Sequence, residues 1–398
     1  MTYDITLIGG GIVGLATAYQ ILQRNPNLRL QVIEKENAVA AHQTGNNSGV
    51  IHSGIYYKPN SLKAKNCIEG YHLLLDFCQK EGIFYDLCGK VIVATQESEL
   101  PALQNIYERG KANGLGDLKL LSAEQIREHE PHVAGIKGIF VSQTGIVDYR
   151  LVAEKLWAAV QKAGAEVRLG EKLLEIKQEG SLLHLETSKG TYQSRFLINC
   201  AGLYSDKVAL MTEKKLPLRI VPFRGEYYKL RPEKEYLVKS LIYPVPDPAF
   251  PFLGVHFTRM ARGGVEAGPN AVLAYQREGY RKSDIQWGEL YETLTWKGFQ
   301  KVAFKYWKTG LGELYRSYSK AAFTRALQKL IPEITEQDLI DGGAGVRAQA
   351  CDREGGLLDD FMIVEKNNIL HVCNAPSPAA TSSLAIGKTL AEMILKKV

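Results

Sequence analysis

"YDITLIGGGIVGLATAYQILQRNPNLRLQVIEKE", from Tyr3 to Glu36, decides the fold. Asp4 to Ile8 predicts a strand; apolar residues then recur at helical spacing to about Arg24, and a second strand ends at Glu34. Between strand and helix, Gly9, Gly11 and Gly14 form GxGxxG in the setting that motif requires. Gly9 permits the tight turn, Gly11 lets a pyrophosphate approach the backbone, and Gly14 lets helix and strand pack closely. The helix start at Ile12 and Val13 offers unpaired N–H groups to the phosphate, and Glu34 is placed to accept hydrogen bonds from ribose hydroxyls. The pattern predicts an α/β fold that opens on a Rossmann-like dinucleotide-binding domain.

The motif alone leaves NAD and FAD open. An NAD domain usually continues into another α/β unit, whereas here "HQTGNNSGVIHSGIYY", His42 to Tyr57, comes before the next helix, expected near Leu62 to Lys80. Thr44, Asn47 and Ser48, with the N–H groups around Gly49, suit a long phosphate–ribityl chain, which FAD has and NAD lacks. No second GxGxxG occurs in a strand–helix context, which weighs against an NAD-linked dehydrogenase.

A chain of 398 residues exceeds the usual size of one hydrophobic core, so two domains are expected. Six scattered cysteines without CxxC spacing suit reduced thiols, and no structural metal is expected. No run of about 18 apolar residues occurs and the first residues read as a strand, which makes cytoplasm the default expectation. The net charge of +6 is mild, and no nucleic-acid partner is expected. It is also uneven: Tyr280 to Arg325 holds nine Lys or Arg against four Asp or Glu, with three of the four tryptophans. The favoured reading of this segment is helices with aromatics facing the core and lysines facing water. The second reading is peripheral contact with an anionic membrane surface, at the inner face of the cell membrane.

Further along, Lys90 to Thr95 predicts a strand, Ser98 to Asn113 a helix, and Ser122 with Gln125 a capping box. Phe196 to Cys200 reads as a strand entering the small-residue turn Ala201-Gly202, which allows close backbone approach to a ligand. The aromatic strands "PFRGEYYKL" and "PFLGVHFTR" mark a second domain over residues 216–335. The chain closes on "DGGAGVRAQ", a strand near Ile369 to Cys373, and a helix from about Leu384. Ser382 or Ser383 is expected to cap that helix, whose positive end suits the charge that develops on a reduced flavin.

GGGIVG with Glu34, the polar loop, "LINCAGLYSD" and "NAPSPAATSSLAIG" together resemble the FAD-dependent oxidoreductases of the D-amino-acid oxidase type, across essentially the whole chain. Within them, "HQTGNNSGVIHSGIYYKPNSLKAK", "PFLGVHFTR", "GPNAVLAYQREGY" and "GAGVRAQ" resemble the L-2-hydroxyglutarate dehydrogenase/oxidase subfamily. The resemblance implies a discontinuous FAD domain (1–88, 144–215 and 336–398) and a mixed-sheet substrate domain (89–143 and 216–335). It also implies hydride transfer from C2 of L-2-hydroxyglutarate to flavin N5, giving 2-oxoglutarate, with electrons passed to a quinone or oxygen. Lys35, Val50 and Leu173 join the expected cofactor contacts. Some members of the wider family tether flavin through a cysteine in the region of Cys351, although a small buried thiol is the simpler reading.

That chemistry needs a proton acceptor and cations for carboxylates. His256 is the expected base and His52 its competitor, since its loop should end near the flavin ring. Arg347 is the expected carboxylate clamp, because a guanidinium binds a carboxylate through two hydrogen bonds. Arg224, Tyr57, Tyr227 and Thr258 are candidates for the second carboxylate or the pocket wall. Two alternatives stay open: an amine or D-amino-acid oxidase of the same fold, and a non-catalytic, membrane-attached flavin-binding protein.

Overall fold

The computed structural model describes residues 2–246 and 254–398. Residues 251–253 of the "PFLGVHFTR" block lie outside the described residues.

The opening pattern folds as expected. Strand Thr2–Ile8 leads into helix Ile12–Arg24 and then strand Leu30–Ile33. These strands pair in parallel with each other, and on either side with Glu166–Arg168 and Thr191–Asn199; Ile369–Asn374 adds a further parallel strand. Leu30–Ile33 and Ile369–Asn374 are buried along their whole length, as parallel strands covered on both faces are. One face carries the first helix, helix Tyr149–Lys162 and the last helix, Ser383–Leu395, joined through Ala18, Ile21, Val160, Leu390 and Ile394. The first and last helices approach so closely that a Cβ on Gly387 would stand 2.7 Å from the Ala16 carbonyl.

A second sheet of nine strands is mostly antiparallel. Its backbone is strand Leu218–Leu230, paired along its whole length with Leu339–Asp352. A boundary at residue 336 therefore does not match the division of sheets: the chain stays in the second sheet through Asp352 and rejoins the first at Met362–Lys366. A three-stranded sheet, Val50–Ile51, Tyr85–Asp86 and Gly145–Val147, lies between. Its Val50 and Ile146 pack on Leu241 and Tyr243 of the second sheet.

Side chains alternate across a strand and paired residues share a face, so the register sorts the second sheet. Val91, Ile242, Phe257, Val265 and Ala267 take the face that packs on Phe323, Leu327 and Ile331. Lys90, Leu241 and Thr258 pair across the opposite face, which also carries Tyr243 and His256, one position along from Ile242 and Phe257. His256 is opposite Gly268 on that face.

The basic, Trp-containing segment meets the favoured expectation only in part. It forms four short helices, Trp287–Thr295, Lys297–Lys305, Trp307–Tyr318 and Lys320–Gln328. The last seats Phe323 and Leu327 in the core, and the second packs Phe299 and Val302, with Trp296 beside them, on Val221 and Cys351. Trp287 is 75% exposed, Phe304 85% and Trp307 55%.

Candidate active site

The glycine turn is built to hold a ligand. A Cβ on Gly9, at φ +110°, would meet the Cys200 carbonyl at 2.5 Å, and one on Gly14 would meet the Gly9 carbonyl at 2.1 Å. At Gly11 only the Thr44 hydroxyl lies near, at 3.5 Å, so the turn is open toward the polar loop. That loop reaches back to the helix start, where Thr44 Oγ1 accepts from the Ile12 N–H at 3.0 Å. Glu34 accepts from the N–H groups of Gly10 at 2.6 Å and Glu36 at 2.9 Å, and its remaining lone pairs can take ribose hydroxyls.

The other expected cofactor contacts divide. Ala201 donates its N–H to Asn199 Oδ1, and Gly202 sits at φ +53°, so the small-residue turn exists and is fixed by a buried asparagine. Leu173 is buried against Ile8 and Ile33 at the ends of the parallel strands. Asn47 folds back on its own loop, donating to Thr44 O and accepting from Gly49 N, so its amide shapes the cradle. Ser48 is half-buried beside it. Lys35 is held by Glu36 and by Glu278 at 2.6 Å.

The expected serine cap is corrected. Ser382 has helical backbone angles instead of the extended ones of a capping residue, and no side-chain cap bond is made. The Ser382 and Ser383 hydroxyls are instead buried without a partner among the described residues. An uncapped helix start with two orphaned hydroxyls is a place for a polar ligand edge.

Two residues that the sequence reading missed tie this helix start to the polar loop. The Thr381 hydroxyl accepts from the His52 N–H at 3.1 Å and bonds the Tyr149 hydroxyl at 2.7 Å, while Tyr149 also donates to the Val50 carbonyl at 3.0 Å. His52 is thereby fixed where the loop, the last helix and the second sheet meet. Thr381 gave no signal because a threonine before a helix reads as one more cap, and Tyr149 because it lies inside a helical pattern.

His52 feels the charges of Lys90, His256, Lys63 and Arg347, and burial first, then those cations, push its pKa down to about 3. His256 is pushed down to about 4, chiefly by burial. Both rings are neutral near pH 7. The His256 ring stacks on Tyr243, with centres 3.9 Å apart, and its Nδ1 lies 2.9 Å from the Gly254 carbonyl. A carbonyl only accepts, so Nδ1 carries the proton and Nε2 is left as the base. Thr258 hydrogen-bonds the Tyr243 hydroxyl and so holds the ring that backs His256.

Arg347 is opposite Phe223, which puts it on the face of Tyr227, two strand repeats along. Its side chain is accessible, and Tyr227, Tyr57 and Asp359 lie close enough to favour its charged form. Tyr57 lies under Lys63 Nζ, 4.9 Å from its ring centre. Arg224 is opposite Val346, on the other face, where it pairs with Glu226 at 3.1 Å and donates to the Arg281 carbonyl. The structure thus brings His52, His256, Arg347, Tyr57, Tyr227 and Thr258 into one neighbourhood and leaves Arg224 outside it.

Lys90 is the residue the sequence reading passed over. It opens a strand, where a lysine usually marks a solvated edge, yet it is 1% exposed between the rings of Tyr56 and Tyr243. Cys351, by contrast, packs with Val221 and Val302, and burial pushes its thiol up to about 11, so it is not a poised nucleophile.

The family model described as "FAD dependent oxidoreductase" matches residues 4–393. The chain belongs to this family. FAD is the cofactor, and the open glycine turn, Glu34 and the uncapped last helix fit it. A relative described as L-2-hydroxyglutarate dehydrogenase, from Indibacter alkaliphilus, is 62% identical over 398 residues and covers all of both chains. Another of that description, from Escherichia coli strain K12, is 45% identical, over 97% of this chain and 91% of its own length. Among solved structures, FAD-bound L-alpha-glycerophosphate oxidase from Mycoplasma pneumoniae superimposes with a TM-score of 0.82 at 24% identity, over 99% of this chain and 95% of that one. That likeness concerns the fold of this oxidoreductase alone.

Proposed function

We propose that the chain oxidises L-2-hydroxyglutarate to 2-oxoglutarate. The supporting observation is chemical: the Arg347 guanidinium and the buried Lys90 charge the surroundings of two neutral imidazoles, a setting matched to a dianion with a hydroxyl proton to lose. The full-length relatives described as L-2-hydroxyglutarate dehydrogenase support the same substrate and its configuration.

In this reading Arg347 clamps the carboxylate next to C2, and Tyr57 and Tyr227 wall the clamp. His256 Nε2 takes the hydroxyl proton, and the Gly254 carbonyl holds the tautomer that lets it do so. His52, locked through its backbone to Thr381, positions the reacting end. Bound FAD supplies the acceptor for the C2 hydride. Anaerobic bleaching of the flavin absorbance separates the candidates. L-2-hydroxyglutarate should bleach wild type rapidly and His256→Ala slowly, while glycine, sarcosine and D-amino acids should not; bleaching by the amines alone would replace this reading with an amine oxidase.

The electron acceptor is proposed to be a membrane quinone, reached from the cytoplasmic face. Exposed Trp287, Tyr291, Phe304, Trp307 and Leu311, with exposed Lys297, Lys301, Lys305 and Lys308, form an amphipathic surface suited to an anionic bilayer. No helix among the described residues is long and apolar enough to cross a membrane, so contact would be peripheral.

A further inference from the structure

Lys90 is buried with no anionic partner among the described residues. Its Nζ lies 4.5 Å from the Tyr56 ring centre and 4.9 Å from that of Tyr243. The Tyr56 hydroxyl is itself buried with no hydrogen-bond partner among the described residues. Ring faces soften the burial of a cation but do not replace an anion. Among the described residues, the groups that face Lys90 from neighbouring elements are the Tyr56 and Tyr243 rings, the Cys67 thiol and the His52 and His256 imidazoles, none of which is anionic near neutral pH. Lys90 shares its sheet face with Thr258 and His256, so this uncompensated corner lies on the same face as the proposed base.

We propose that the Lys90 ammonium and the Tyr56 hydroxyl form a carboxylate subsite that takes the end of the substrate remote from the reacting carbon. This rests on the dicarboxylate reading above and assigns its second carboxylate, for which Arg224 is on the wrong face. The ammonium supplies the charge, the phenol a directed hydrogen bond, and the aromatic walls exclude water, so a 2-hydroxy acid without the second carboxylate leaves both donors unpaired.

Burial lowers the Lys90 pKa to about 7, with the Cys67 thiol opposing, so above that pH the free site holds mostly neutral amine. A bound carboxylate favours the charged form, and binding at pH 8 therefore takes up a proton. The test is titration calorimetry of the FAD-loaded protein with glutarate, which has both carboxylates and no hydroxyl to oxidise, and with butyrate, in two buffers of different ionisation heat. Wild type should take up close to one proton with glutarate, and Lys90→Arg should bind it with none, since arginine stays charged. Lys90→Met should weaken glutarate by about 10- to 100-fold and leave butyrate unchanged; Tyr56→Phe should weaken glutarate by about tenfold at most. Retained FAD in each variant reports folding. Undiminished glutarate binding in Lys90→Met, or equal proton uptake in wild type and Lys90→Arg, overturns the subsite alone. Wild type that does not bind glutarate overturns the dicarboxylate reading and the subsite with it.

Discussion

Arg347 and Arg224 differ by one step of strand alternation, and that step assigns their work. Both lie on the long paired strands at one end of the second sheet, but only Arg347 shares the face of Tyr227. Replacing Arg347 with alanine should leave FAD bound while raising KM, and kcat/KM should fall at least tenfold, since one charge-assisted hydrogen bond is worth about 1.5–3 kcal/mol. Arg224→Ala should leave KM near wild type and lower the melting temperature, because Glu226 loses its buried partner. Steady-state kinetics normalised to flavin content decide this: an ordinary KM in Arg347→Ala removes it from the site. Alternation also explains what could be read beforehand at this scale. His256 and Arg347 stood in distinctive blocks, whereas Lys90 and the faces of the two arginines depend on strand register, which a single sequence does not specify.

At the scale of elements, the short helix Ser205–Ala209, which follows strand Thr191–Asn199, is locked to the second sheet by a buried ion pair. Asp206 accepts from both ends of the Arg277 guanidinium, at 2.6 and 2.9 Å, and from the Ile220 N–H at 3.0 Å. Both side chains are buried. A buried pair contributes modestly in net, but stripping one partner leaves a desolvated charge. Asp206→Ala should therefore cost about 3–5 kcal/mol, read from the shift in urea midpoint, and Asp206→Leu with Arg277→Met should recover most of it. A loss below about 1 kcal/mol in the single variant would show that the pair does not lock the two parts. The elements themselves were largely legible. The expected helix near Leu62 to Lys80 is Leu62–Glu81, and the capping box at Ser122 and Gln125 is present. What was not legible is how they are tied: the Thr381 latch spans 329 residues to His52, and a contact so distant leaves no local pattern.

For the whole molecule, the two sheets meet across the polar loop, and electrons taken up there must leave by the surface. The parallel sheet was legible because its βαβ unit is local, whereas the long pairing of Leu218–Leu230 with Leu339–Asp352 is not. The Trp-containing helices show the same limit from outside: aromatics at helical spacing are compatible with either core or surface, and only the packing decides. Here packing leaves Trp287, Phe304 and Trp307 in water, where their exposure is unfavourable unless something covers them. Four exposed lysines beside them would each add about 1 kcal/mol of attraction to an anionic bilayer. The FAD-loaded protein should therefore sediment with phosphatidylglycerol-containing liposomes at low salt, less at high salt, and weakly with neutral ones. Trp287→Ser with Phe304→Ser should abolish binding to the vesicles and slow turnover with a bilayer-embedded quinone, while anaerobic flavin reduction by substrate stays at the wild-type rate. Equal sedimentation of wild type and double variant, or faster turnover with oxygen than with quinone, would turn the argument against a membrane acceptor.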